Sequence, residues 1–89
     1  MELVIKHFSQ LTPDELLDIF KLRVSVFVVE QNCPYQEIDE ADRQAYHIYL
    51  KEDNKIQAYV RLLPPNVTFD TVAIGRVISA KIDAGRIAE

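Results

Sequence analysis

The chain has 89 residues, 48% of them hydrophobic and 27% charged, with a formal net charge of −4 and a single cysteine. This predicts one globular domain with a thin core rather than a disordered segment. The acidic balance lacks any basic run, which argues against a nucleic-acid footprint, and no stretch approaches the ~18 apolar residues of a membrane span. Cys33 has no partner for an internal disulfide, and Met1 to His7 has no charged-then-apolar leader pattern. A cytoplasmic chain is the expectation.

The first element is a short strand from Leu3 to Phe8, read from alternation. Thr12, Pro13 and Glu15 then form a helix start: a capping residue, a proline where its missing N–H costs nothing, and a glutamate at capping-box spacing. Apolar residues at Leu16, Ile19, Phe20, Leu22, Val24, Phe27 and Val28 extend a helical period, predicting a helix from Pro13 to Val29. The β-branched Val24, Val26, Val28 and Val29 weaken its end, where strand is the alternative.

Pro34 turns the backbone extended at Cys33, so Gln31 to Ala45 reads as a polar connection with a short helical turn from Asp39 to Gln44. Its length exceeds that of most connections inside compact domains, and loops that long are often functional. Tyr46 to Leu50 and Ile56 to Leu62 alternate on either side of Asp53-Asn54 and predict a hairpin, closed by Pro64-Pro65-Asn66. Thr71 to Ala80 gives the last strand. The order β-α-β-β-β is an α+β arrangement, an antiparallel sheet packed on one helix.

The segments "FKLRVSVFVVEQNCPYQEIDEAD", "AYVRLLPP" and "IGRVISAK" resemble the N-terminal half of ElaA-like proteins of the GNAT acyltransferase superfamily, over roughly Leu16 to Lys81. The resemblance implies a GNAT-like half domain and transfer of an acetyl group from acetyl-CoA to an amine in a ternary complex. It places the pantetheine arm beside the last strand, on the backbone of Val77, Ile78 and Ser79. A backbone N–H there would stabilise the thioester oxygen, and a carboxylate or ordered water would take the amine proton. The following phosphate-binding loop departs from the family pattern. Ile82 and Ile87 stand where Gln or Arg and Gly or Ala belong, Gly85 fits, and Arg86 is an additional cation. The later helix and strands of such a domain have no counterpart in the sequence, so whether these 89 residues catalyse is left open.

Glu30, Glu37 and Asp39 are the candidates to orient or deprotonate the amine, against a plainer reading as loop caps and solvated acids. Cys33 reads as a packed or exposed loop thiol before it reads as an acyl acceptor. His47 reads as structural or surface before base, and no ligand spacing points to a metal. Arg61 and Arg76 interrupt apolar strands and require partners; Glu30 or Glu37 would brace them. Tyr46, Tyr49 and Tyr59 read as core and cross-strand packing. An edge strand left open predicts a homodimer through that edge. The alternatives to an acetyltransferase are a non-catalytic GNAT-derived oligomeric binding module and a generic interaction domain that pairs by its sheet edge.

Overall fold

In the computed structural model the described residues are 1–32 and 36–79. Strand β1 (Glu2–His7) leads through a 3-10 turn (Phe8–Gln10) into helix α1 (Pro13–Val24). The predicted capping box closes this start: the Glu15 amide donates to Thr12 Oγ1 at 3.2 Å, and the Thr12 amide to Glu15 Oε1 at 2.9 Å. Glu15 Oε2 also accepts from Lys6 Nζ at 2.8 Å and from the Tyr49 hydroxyl at 3.0 Å. One carboxylate therefore ties the helix start to two strands.

The helix ends differently from the expectation of regular winding to Val29. The α pitch stops at Val24, and Ser25–Glu30 continues with the wider π pitch, the Gln31 N–H donating to the Val26 carbonyl five residues back at 3.2 Å. The clustered valines account for the change, since β-branched side chains crowd the preceding α turn. The wider turn places Val26 and Phe27, adjacent in sequence, in the core together.

A second 3-10 turn (Glu40–Gln44) precedes β2 (Tyr46–Glu52), β3 (Lys55–Leu63) and β4 (Ala73–Ser79). The sheet order is β1-β2-β3-β4, antiparallel throughout. The hairpin loop is only Asp53 and Asn54, with φ of 53° and 61°. Two central residues of positive φ make the mirror-image turn whose twist matches that of the flanking strands. The five-residue connector read from sequence shrinks because the ladder continues past an irregularity at Leu50/Lys51 to pair Glu52 with Lys55.

Alternation assigns the faces. Tyr49, Tyr59 and Ile78 point towards α1 and form the core with Ile19, Val26 and Phe27. The partners Leu3, Leu50, Ala58 and Ser79 share the opposite face, as do Ile5, Ile48 and Val60. No helix among the described residues covers that side. Tyr46, expected in the packing, is exposed on it and meets the edge of the His7 ring at 5.2 Å between centroids.

Strand β4 carries a bulge. Tyr59 pairs with Ile78 and Arg61 with Gly75, so two steps on β3 oppose three on β4. Arg76 sits in the bulge at φ 55°. A side chain in the left-handed region costs on the order of 1 kcal/mol, and glycine usually takes such positions. Yet the neighbouring Gly75 has an ordinary φ, and a Cβ added to it would meet nothing within 4 Å.

Candidate functional site

The connection after α1 is pinned by charge. Its Glu37, Asp39 and Asp42 meet three arginines, one from each element the loop must touch. Arg23 of α1 donates Nε to Glu37 Oε2 at 2.5 Å, Nη1 to Asp42 Oδ1 at 2.6 Å and Nη2 to the Glu37 carbonyl at 3.1 Å. Arg61 of β3 donates Nη1 to Asp42 Oδ1 at 3.1 Å and to Asp39 Oδ1 at 3.2 Å. Arg76 of β4 donates Nε to Glu37 Oε1 at 2.5 Å and Nη2 to the Glu37 carbonyl at 3.0 Å, with Asp39 Oδ2 at 3.8 Å from Nη2. Arg23, Glu37 and Asp42 are buried, so their mutual pairing is what makes their charges tolerable there. Arg61 Nε is buried with no hydrogen-bond partner among the described residues.

His47 lies beneath this cluster, fully buried. Its Nε2 is 3.1 Å from the Asp42 carbonyl, which can only accept, so Nε2 carries the proton. Nδ1, 2.7 Å from the Tyr59 hydroxyl, is then the acceptor. Burial depresses the His47 pKa below its usual value, with Arg23 and Arg61 also working against protonation and the Asp42 carbonyl and carboxylate opposing them. Burial pushes the Tyr59 phenol up. For Asp42 burial again opposes ionisation, but Arg23, its hydrogen bonds and Arg61 hold the carboxyl below the ordinary carboxylate range. Burial also works against the Arg23 cation, yet Asp42 and Glu37 keep its pKa above the ordinary value.

The sequence candidates therefore part ways. Glu37 is buried and bridges two arginines; Asp39 keeps its side chain 42% exposed; Glu30 ends the π turn, exposed. Arg76 takes Glu37, as expected of a brace. Arg61 does not take Glu30 or Glu37: the loop's turn carries Asp39 and Asp42 over β3, and these are its partners. His47 is structural. Cys33, Gly85 and the residues expected around the phosphate-binding loop lie outside the described residues.

Arg23 and Asp42 were not among the sequence candidates. Arg23 had a signal, because it stands four residues after Ile19 and four before Phe27, inside the apolar stripe. Asp42 had only its spacing of three from Asp39, whose amide it accepts at 3.0 Å.

Strand β4 is an edge of the sheet, paired on one side only by β3 among the described residues. An apolar cleft of about 310 Å³ lies on the sheet face away from α1, running from Leu3 of β1 across Leu50, Ala58 and Val60 to Val77, Ile78 and Ser79 of β4. A second cleft of about 370 Å³ lies by the bulge, lined by Asp39, Arg61, Phe69, Ile74, Gly75 and Arg76. Among the described residues no helix is long and apolar enough to cross a membrane.

This half-sheet with one helix and a bulged edge strand has the fold of the first half of an acyl-CoA N-acyltransferase domain. It superimposes on an acyl-CoA N-acyltransferase of Pseudomonas aeruginosa with a TM-score of 0.84 at 41% identity, covering 96% of this chain and 60% of that one. The same TM-score relates it to the crystal structure of Escherichia coli ElaA, at 39% identity, covering 96% of this chain and 59% of that one. In sequence it is 43% identical to Escherichia coli ElaA over 81% of this chain and 48% of ElaA. It is 48% identical to a UPF0039 protein of Schizosaccharomyces pombe over 88% of this chain and 51% of that protein. No protein-family model matches the chain. The chain is similar to one half of ElaA-like proteins and carries the corresponding half of the GNAT fold, spanning about half the length of the curated relatives it matches.

Proposed function

We propose that this chain is the thioester-binding half of an N-acyltransferase that moves an acetyl group from acetyl-CoA to an amine. The observation that carries the reading is the open edge of β4. It has main chain free of ladder pairing on its outer side among the described residues and a bulge within it, and the apolar cleft on the open sheet face reaches it at Val77, Ile78 and Ser79. A pantetheine arm is an extended amide chain, and an unpaired strand edge offers it the hydrogen bonds another strand would receive. The thioester oxygen would gain charge as the amine nitrogen attacks its carbon, and a β4 amide answers that charge. The C–S bond then breaks, CoA leaves as the thiolate, and the nitrogen gives up its proton.

Asp39, the half-exposed carboxylate beside the bulge, is the group assigned to that proton, directly or through water, with Glu30, exposed at the end of the π turn, as the second candidate. Glu37 is assigned to orientation, since both its carboxylate oxygens are held by arginines. Gly85 is assigned to the pyrophosphate on resemblance alone. The test is thermal unfolding of the 89-residue chain with and without acetyl-CoA. At a hundredfold excess over Kd the ligand should stabilise the fold by about 2.7 kcal/mol. No stabilisation at millimolar acetyl-CoA would overturn the reading for this chain.

A second reading, a non-catalytic module that works as a homodimer, is favoured by a different observation. The face opposite α1 leaves Leu3, Ile5 and Ile74 exposed, and among the described residues β1 and β4 are each paired on one side only. Light scattering at micromolar concentration separates the cases, because a monomer that binds acetyl-CoA sinks the module and a dimer that ignores it sinks the enzyme.

A further inference from the structure

Residue 76 combines three observations that ordinary strand structure does not require together. Its φ of 55° places a side-chain-bearing residue where glycine would be unstrained, although Gly75 is its immediate neighbour and has an ordinary φ. It sits in the bulge, where the β3–β4 ladder is interrupted and main-chain groups are released from pairing. Its guanidinium is held at both Nε and Nη2 by one residue, Glu37, through the carboxylate at 2.5 Å and the carbonyl at 3.0 Å. Glu37 is itself immobilised, because buried Arg23 takes its other carboxylate oxygen and the same carbonyl.

A strained backbone persists only where surrounding structure determines it. Solvent cannot do so here, and neither can the ladder. Among the described residues the constraint of that strength is the Arg23–Glu37–Arg76 bridge, which runs from the helix through the loop to the strand. We propose that Glu37 and Arg76 are positioning residues: the bridge holds β4 in its bulged, left-handed form and so sets how the main chain of Val77 to Ser79 is presented to a thioester ligand. The proposal rests on the acyltransferase reading for its purpose, but its structural content stands apart. Arg76 works through its backbone conformation and need not touch the ligand.

Glycine and alanine at position 76 separate these roles. Arg76→Ala loses the bridge and keeps the steric cost of a Cβ, so the bulge relaxes; Arg76→Gly also loses the bridge but holds a left-handed φ without strain. The amide resonances and hydrogen exchange of residues 75–78, read by NMR on the 89-residue chain without ligand, should change widely in Arg76→Ala and stay close to wild type in Arg76→Gly beyond the substituted residue. Acetyl-CoA affinity by calorimetry should fall at least tenfold in the alanine variant and no more than about threefold in the glycine variant. Should Arg76→Ala fail to fold, Glu37→Gln serves: it should disturb residues 75–78 in the wild-type background and leave them unchanged in Arg76→Gly.

Equal disturbance by alanine and glycine would overturn the proposal, because Arg76 would then act through its charge. An undisturbed bulge in Arg76→Ala or Glu37→Gln would overturn it as well. If no variant, wild type included, binds acetyl-CoA, the acyltransferase reading fails while the NMR comparison still decides the bridge.

Discussion

The two faces of the sheet are made from alternate residues of the same four strands and meet opposite fates. Tyr49, Tyr59 and Ile78 are at most 3% exposed against α1, whereas Leu3 and Ile5 are 58% exposed and Ile74 66% on the other side. The covered face is the one that carries charge: Arg23, Glu37, Asp42, Arg61 and His47 are all buried there. The open face is largely apolar, with Ser79, Tyr46 and His7 among its polar groups, yet it is not the side that is buried. Burial here follows where a specific set of partners could be assembled, and hydrophobicity alone does not choose the side.

The largest effect should come from cutting into the charged side. Arg23→Ala leaves Glu37 and Asp42 buried without their shared cation and should cost about 3–5 kcal/mol in urea unfolding. A loss below about 1 kcal/mol would mean that water enters the cluster and that the two faces differ less than their exposure suggests.

A smaller, pH-dependent effect should come from His47. Its folded pKa is depressed by burial, so below the unfolded value of about 6.5 the unfolded chain binds a proton that the native chain resists. Stability from this group is complete above about pH 6.5 and declines as pH falls towards the depressed folded pKa. Asp42 and Glu15 are lowered carboxylates, Glu15 to about 2 through its bond to Lys6, and their contributions are lost only below about pH 4.5. Urea unfolding between pH 7 and 5 should show a decline that His47→Gln flattens. An unchanged slope in that variant would remove His47 as its source.

The smallest effect belongs to the open face. Leu3→Ser with Ile74→Ser should change the stability of the separated chain by no more than about 0.5 kcal/mol per site. The same pair should shift any dimer seen by light scattering towards monomer, and a large loss of stability instead would show that this face already has a partner within the chain.

Much of the fold could be read from residues whose preferences are local. Thr12-Pro13-x-Glu15 starts the helix, Asp53-Asn54 turns the hairpin, and alternation finds the strands, because each signal acts within a few residues. The end of the helix was harder, since four valines oppose the α pitch while the core still demands Val26 and Phe27. The site was legible in part. Arg61 and Arg76 stood out as charges in apolar strands, but which acid each would take depended on how a fifteen-residue loop folds back, and nothing short-range encodes that. The left-handed φ at Arg76 beside an available glycine is likewise set by tertiary partners.

The two-residue turn at Asp53-Asn54 has a consequence for the order of assembly. It fixes the β2–β3 register with almost no chain to close, whereas β1 reaches β2 only after the helix and the long loop have been threaded back. The hairpin is therefore the natural nucleus and β1 a late arrival. Folding rates should respond to substitutions at Asn54 and hardly at all to those in Val4.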